Sequence, residues 1–306
     1  MQNMISGLVI RSQSGFYVVA TEQGEIVCNL RGRLKRGPRT GDVIAMGDRV
    51  QVSSGDGKTG MVEAVLPRGR MFSRLDPRPQ GEYQQILIAN PDQVVLVFAC
   101  AEPLPKMAML DRFLVVAERA GIPPVIVANK VDLVGIAAAQ ETFRTYRELN
   151  YPVVFTSART GEGIVGITRL IQNKITLFTG PSGVGKSSLL NAIQPGLGLA
   201  AREVSQATSK GKHTTVVREL FRLNGGGWVA DTPGLKALAL WDIEPEELDA
   251  YFPEIGALVG DCQFNDCTHV HEPGCAVLTA ASQGRIDPSR YQSYLRMRFG
   301  EDDESG

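Results

Sequence analysis

The sequence predicts a multi-domain α/β protein: a small N-terminal β-barrel, a central parallel-sheet domain and a short C-terminal helical module. Three observations carry this reading. The first 70 residues break into five short β-prone runs. From Gln93 onward, continuous apolar runs alternate with stretches of helical spacing around a glycine loop at Gly180–Ser188. Near the end, three cysteines and two histidines fall within residues 262–275.

The barrel comes first. Gly7-Leu-Val-Ile10, Gly15-Phe-Tyr-Val-Val-Ala20, Glu25-Ile-Val-Cys-Asn-Leu30, Asp48-Arg-Val-Gln-Val52 and Gly60-Met-Val-Glu-Ala-Val65 are separated by turn residues. Five such runs in residues 1–70 fit an OB-fold, the common five-stranded barrel. Between the third and fourth runs, one loop carries Arg31, Arg33, Lys35, Arg36 and Arg39. Cations in a barrel loop supply the salt-dependent phosphate attraction of nucleic-acid binders, so this loop is expected to touch RNA. Cys28 and Cys100 stand in apolar, strand-like settings and read as small buried side chains. Residues 71–92, entered through the Pro-, Arg- and Gly-rich stretch Pro67–Gln80, are expected to be a linker.

Residues 93–240 change periodicity. Gln93–Ala99, Pro124–Ala128 and Pro152–Thr156 are apolar without interruption, as in strands covered on both faces. Leu110–Ala120, Ala138–Leu149 and Ile164–Ile171 have helical spacing. Strands alternating with helices predict βαβ units and a parallel sheet.

The glycine loop Gly180, Pro181, Ser182, Gly183, Val184, Gly185, Lys186, Ser187, Ser188 fits G-x-x-x-x-G-K-[ST], with a β-prone run before it (Lys174–Thr179) and a helical one after (Leu189–Ile193). Strand, glycine loop and helix form a phosphate-binding loop. The glycines let backbone N–H groups curl around an anion, and the helix N-terminus adds partial positive charge. Lys186 is expected on the β/γ phosphates and Ser187 on Mg²⁺. Asn129, Lys130, Val131 and Asp132 close the second apolar strand, and Ser157-Ala158-Arg159 closes the third. Ligands bind at such carboxyl ends in open α/β sheets. An Asp132 carboxylate accepts the N–H pair of guanine, a donor pair that adenine lacks, so the base is read as guanine. The Ala158 N–H would meet the guanine carbonyl. An ATPase or kinase reading is disfavoured by the same Asn-Lys-x-Asp run.

Glu203–Thr215 is polar and would fold over a γ-phosphate, with Thr214 or Thr215 on Mg²⁺. Strands are expected next at Val216–Leu223 and Gly227–Ala230. The second ends in Asp231-Thr-Pro-Gly234, which places Asp231 to hold Mg²⁺ through water and the Gly234 N–H to meet the γ-phosphate. Ordinary GTPases run phosphate loop, first switch, Asp-x-x-Gly, Asn-Lys-x-Asp, Ser-Ala-x. Here the last two come first, so the central unit reads as a circularly permuted P-loop GTPase domain with Gly161–Asn173 joining the old ends. The chain beyond Gly234 is thereby attached directly to a γ-phosphate sensor.

Residues 241–306 begin with an expected helix, Glu244–Phe252, and continue into Cys262, Cys267 and Cys275 with His269 or His271. Three thiolates and one imidazole make a closed structural zinc site, one ion per chain, with no coordination position left for catalysis. Two helices, Ala276–Gln283 and Pro288–Phe299, follow, and Arg285 between them and Arg290, Arg296 and Arg298 on the second are further candidate RNA contacts. An acidic tail, Glu301–Glu304, closes the chain.

Charge is distributed to match. The formal net charge is −1, yet residues 1–74 hold eleven Lys/Arg against six Asp/Glu, and residues 242–306 hold four against fourteen. A basic front half points to a polyanionic partner. No apolar run is long enough for a transmembrane helix and the N-terminus lacks a signal-peptide pattern, so a cytoplasmic monomer is expected, with no membrane partner.

The barrel, the permuted motif order and the Cys-x4-Cys-x-His-x5-Cys module together resemble the RsgA family over nearly the whole chain. The resemblance implies a GTPase stimulated by the small ribosomal subunit in late assembly. Its barrel and zinc module would contact rRNA, with other assembly factors as further partners. It implies His269 as the fourth zinc ligand. It also implies a catalytic role for His213. The residue after Asp-x-x-Gly is often a water-orienting glutamine in GTPases and is Leu235 here, whereas histidine can orient water or accept a proton. The family's basic residue before His-Thr-Thr is matched by Lys212; a further family threonine is Val216 here. A second reading is an RNA-binding scaffold that uses GTP as a structural ligand with little turnover.

Overall fold

Strands β1 (Met4–Gln13), β2 (Phe16–Thr21), β3 (Gly24–Leu30), β4 (Arg49–Ser54) and β5 (Thr59–Val65) lie where alternation places them. The computed structural model describes residues 4–13, 15–35, 41–78, 81–197, 218–231 and 243–300. β1 pairs with both β2 and β4, β2 with β3, β3 with β5 in parallel, and β5 with β4. That circuit closes a five-stranded barrel. The period of two is plain in β3, where Ile26, Cys28 and Leu30 point in and their neighbours out. They pack with Val9, Val19, Val50, Val52 and Val62. β1 bends at a bulge between Val9 and Arg11. There is no room for a side chain at Gly7, whose Cβ would meet Val19 Cγ1 at 2.4 Å.

Residues 71–92 are not a plain linker. Met71–Arg78 (β6) and Gly81–Ala89 (β7) form an antiparallel hairpin. The proline-, arginine- and glycine-rich stretch holds its first strand, while Phe72, Leu87 and Ile88 bury into the core of the central domain. The barrel leans on the hairpin base: Ala89 N–H donates to the Met46 carbonyl at 2.8 Å. Gly47 (φ 88°) makes this approach possible, since a Cβ there would lie 2.0 Å from the Ala89 oxygen.

The central sheet runs β10 (Val153–Thr156), β9 (Pro124–Asn129), β8 (Gln93–Ala99), β11 (Ile175–Thr179), β13 (Trp228–Asp231), β12 (Arg218–Arg222), parallel except for β12. It has two apolar faces, which is why β8 and β11 are buried at every position. Val94, Leu96 and Phe98 face α1 (Met107–Arg119), α2 (Ile136–Thr142) and α3 (Arg144–Glu148). Val95 and Val97 face α4 (Ile164–Ile171) and α5 (Lys186–Ile193). The single helix expected over Ala138–Leu149 is two, broken at Phe143, whose ring is fully buried against Phe155. At the far edge, β12 pairs with β1 through Arg11↔Glu219 and Ser12↔Arg218, and Arg11 forms an ion pair with Glu219. Barrel and central sheet are thereby one continuous sheet.

The C-terminal module opens with the helix expected there, which is a 3-10 helix, Pro245–Tyr251. It continues through α6 (Pro253–Gly256), α7 (Ala276–Ser282) and α8 (Pro288–Arg298). Leu248, Phe252, Ile255, Val277, Ile286 and Tyr294 fill its core, and Val115 of α1 joins them. Arg290 is not on the surface. It is 1% exposed, donating to Asp111 Oδ1 at 2.7 Å and to Glu254 Oε1 at 2.7 Å, with its guanidinium 4.5 Å from the Phe252 ring centre. An arginine at helical spacing among solvated neighbours reads as a surface cation; only the packed structure brings two carboxylates to it. The module is therefore held to α1 of the central domain by its own buried ion pair, and not solely by the chain leading from Gly234.

Candidate active site and metal centre

The phosphate loop leaves β11 and enters α5 through three glycines at positive φ. Two of these are fixed by close approach. A Cβ on Gly180 (φ 144°) would meet the Val97 carbonyl oxygen at 2.2 Å, and one on Gly185 (φ 90°) would meet Asn129 Nδ2 at 2.6 Å. Lys186 opens α5 and turns back into the loop, donating to the carbonyls of Gly180 at 2.8 Å and Pro181 at 2.7 Å. Burial pushes its ammonium pKa down, with Asp231 opposing.

Asp231 ends β13, next to β11 in the sheet. Its Oδ2 is 3.3 Å from the Ser187 hydroxyl, and its Oδ1 is buried without a hydrogen-bond partner among the described residues. Burial pushes this carboxyl up, against the pull of Lys186. A desolvated carboxylate oxygen with nothing to accept from, beside a hydroxyl, fits a hard divalent cation.

The base-reading loop sits across the same cleft. Asn129, 1% exposed, donates from Nδ2 to the Val184 carbonyl at 2.9 Å and accepts from Thr156 Oγ1 at 3.0 Å, so it ties the two loops together. Lys130 takes the left-handed conformation (φ 63°) and reaches the Gly183 carbonyl at 2.8 Å and the Glu102 carbonyl. Val131 is buried and starts a 3-10 turn that presents Asp132. Asp132 Oδ1 accepts from the Ser157 hydroxyl at 2.5 Å, and Oδ2 from Arg159 Nε at 2.8 Å. The Ser157 hydrogen bond, then Arg159, hold the Asp132 pKa below the ordinary carboxylate range. Asn129, Lys130, Asp132, Ala158, Arg159, Gly185 and Ser188 line a cleft of about 470 Å³. Sequence reasoning missed Glu102, which lines the same cleft from the loop after β8; no motif marks it.

Other expected site residues fall elsewhere. His213, Thr214, Thr215 and Gly234 lie outside the described residues, as do Lys212, Val216 and Leu235. In the barrel loop, Arg31 and Arg33 are largely exposed but both turn toward Glu63 of β5. Arg31 Nη1 is 3.3 Å from its carboxylate, and Arg33 donates to its carbonyl at 2.8 Å. Arg36, Arg39 and the Lys35 side chain lie outside the described residues.

Cys262, Cys267, His269 and Cys275 converge, with all four donor atoms within 4.8 Å of one another. His269 Nδ1 is 3.7 Å from the Cys262 sulfur and 3.5 Å from that of Cys275. His269 is fully buried in the cluster, whereas His271 is exposed and apart, which decides between the two. This donor set can hold a metal ion. Asp249, twenty residues upstream and missed in the sequence, faces the other ring nitrogen at 3.4 Å. Cys28 and Cys100 are buried and isolated, as expected.

A phosphate loop in the middle of a parallel sheet, with its base-reading loop earlier in the chain, defines a circularly permuted GTPase. The profile described as RsgA GTPase matches residues 65–241, and that described as RsgA N-terminal domain matches residues 6–62. A small ribosomal subunit biogenesis GTPase RsgA from Gemmatimonas aurantiaca is 42% identical over 302 residues, covering 97% of this chain and 98% of that one. A protein with the same name from Moorella thermoacetica is also 42% identical, covering 95% of each chain. Among solved structures, YjeQ from Thermotoga maritima aligns with a TM-score of 0.79 at 38% identity, over 97% of this chain and 98% of that one. YloQ, described as a circularly permuted GTPase, gives 0.75 at 34%, over 97% and 95%. The chain belongs to the RsgA GTPase family and is a GTP-hydrolysing enzyme. No described helix is long and apolar enough to cross a membrane.

Proposed function

We propose that this GTPase binds the small ribosomal subunit during late assembly and couples its nucleotide state to rRNA contact and to the release of assembly factors. The observation that carries the guanine-nucleotide half is the placement of Asp132 across one cleft from the Gly183–Ser188 loop. The ribosomal half is supported by the relatives' names and by the basic barrel. The barrel (1–70), the hairpin segment (71–92), the GTPase domain (93–240) and the metal module (241–306) act as its four parts.

In the working site, Asp132 accepts the guanine N–H pair and the Ala158 N–H meets the base carbonyl. The Gly180–Ser188 amides and Lys186 hold the phosphates. Lys186 gives up the Gly180 and Pro181 carbonyls to do so, exchanging neutral acceptors for an anionic one. Ser187 would hold Mg²⁺ directly and Asp231 through water, joined by Thr214 or Thr215, and the Gly234 N–H would meet the γ-phosphate. Bound Mg²⁺ supplies charge neutralisation on the β/γ oxygens. His213 orients the attacking water. Single-turnover hydrolysis on small subunits tests this assignment: His213→Ala lowers the stimulated rate by about 10²–10⁴ with GTP affinity unchanged. Stimulated turnover at the wild-type rate removes the role.

The ion in the C-terminal cluster is zinc, on the ground of three thiolates and one imidazole. Asp249 would orient the His269 ring by accepting from Nε2, leaving Nδ1 for the ion. Asp249→Ala is expected to weaken zinc binding by about 10–100-fold, read by competition with a chromophoric chelator. An unchanged affinity would show that packing alone, with Tyr291 bonded to the His269 carbonyl at 2.7 Å, sets the ring.

A further inference from the structure

The base-reading carboxylate is already occupied by the protein itself. Guanine offers Asp132 a planar pair of N–H groups, from N1 and the 2-amino group, and that fragment of the base is chemically a guanidine. The Arg159 guanidinium is the same donor fork. Its Nε lies 2.8 Å and its Nη2 2.8 Å from Asp132 Oδ2, while Ser157 holds Oδ1. Arg159 also lines the nucleotide cleft beside Ala158, whose N–H faces the base edge in the proposed mode. Its side chain is 74% exposed and that of Asp132 only 9%. The carboxylate is fixed, and the guanidinium that covers it is free to leave into water.

We infer that Arg159 is an internal stand-in for guanine: it covers the Asp132 carboxylate in the empty site, and the incoming base displaces it. This rests on the guanine-nucleotide reading of the cleft. The pair keeps the second oxygen of a largely buried carboxylate partnered between turnovers, the first being held by Ser157. Because the guanidinium is 74% exposed, it regains water as it leaves, and displacing it costs little. Surface ion pairs are worth up to about a fivefold factor in an equilibrium. Arg159 therefore slows capture of the nucleotide without blocking it. Salt, which screens the pair, weakens that brake.

Stopped-flow association and dissociation of a fluorescent GDP analogue, on the full chain, test the inference. Near physiological ionic strength, Arg159→Ala is expected to raise the association rate constant about two- to fivefold. The ratio of variant to wild type should fall toward one as salt rises, because the wild-type pair is screened. An association rate that is unchanged or slower in the variant overturns the inference, and a faster dissociation with unchanged association would place Arg159 over the bound base instead. Arg159→Lys keeps the positive charge that steers a phosphate while losing the planar fork, so a gain in association in this variant too excludes long-range charge as the cause. Failure of the guanine reading itself looks different: neither wild type nor variant would bind the analogue.

Discussion

An Asp132→Asn variant is expected to bind GTP about 10²–10³-fold more weakly and to prefer xanthosine triphosphate. In the proposed mode the carboxylate accepts two N–H groups of guanine, and each charge-assisted bond of this kind is worth roughly 1.5–3 kcal/mol. An asparagine amide accepts one and sets an N–H₂ against the guanine amino group, donor facing donor. Xanthine carries a carbonyl at that position, which accepts from the amide. A site matched to one base leaves polar groups unpaired with the other. The substitution leaves the Asn129 and Lys130 bridges to Val184 and Gly183 in place, so the phosphate loop keeps its shape. Competition titrations with GTP and xanthosine triphosphate read the outcome. A variant that still prefers GTP would mean that Asp132 does not read the base.

Arg290→Ala is expected to cost about 3–5 kcal/mol of stability, the penalty of leaving buried charge uncompensated. Arg290 and Asp111 are each 1% exposed, and Tyr146 donates to the same Asp111 oxygen at 2.7 Å. Removing the guanidinium strands two carboxylates, Asp111 and Glu254, between α1 and α8. Burial already pushes the Asp111 carboxyl up with Arg290 beside it. Without the arginine it rises further. A carboxyl whose folded pKa lies above its unfolded value favours the fold below the unfolded pKa, near 3.9, and loses that contribution as pH rises through the folded value. The deficit of the variant is therefore larger at pH 7.5 than at pH 5.5. Urea denaturation at the two pH values measures it; a loss under about 1 kcal/mol would show that the apolar contacts of Val115, Phe252 and Tyr294 hold the metal module without the ion pair.

This lock bears on how nucleotide state would reach RNA in the proposed function. The permuted order alone makes the metal module an arm on the end of a switch. The Arg290–Asp111 pair adds a second attachment, to the helix after β8, and the β1–β12 pairing gives the barrel one too, on a strand just after the first switch segment. Motion of either arm relative to the nucleotide then requires breaking or carrying these contacts.

Local patterns made most of the fold legible. Five alternating runs, uninterrupted apolar strands and the glycine loop each carry their structure within a few residues, and the helix at Ile164–Ile171 falls where its spacing puts it. The two nucleotide loops were legible for the same reason. Composition hid the structure that depends on a distant partner. The hairpin of β6 and β7 is masked by the prolines and glycines in and around its strands, such as Pro77 and Gly81, although Ile86-Leu87-Ile88 held a strand signal. Arg290, Glu254 and Asp111 meet across 179 and 36 residues, and Asp249 meets His269 across twenty. No spacing rule covers such distances. Spacing alone left His269 and His271, two positions apart, both open; the family resemblance favours His269, and its burial in the cluster agrees.

The central claim is a GTPase whose turnover is switched on by the small ribosomal subunit. Single-turnover hydrolysis of GTP by the full chain, with isolated small subunits, with isolated large subunits and with neither, tests it most directly. The account predicts slow hydrolysis alone, acceleration by small subunits, and none by large ones. Equal rates in all three would contradict it and favour a scaffold that holds GTP without using its hydrolysis.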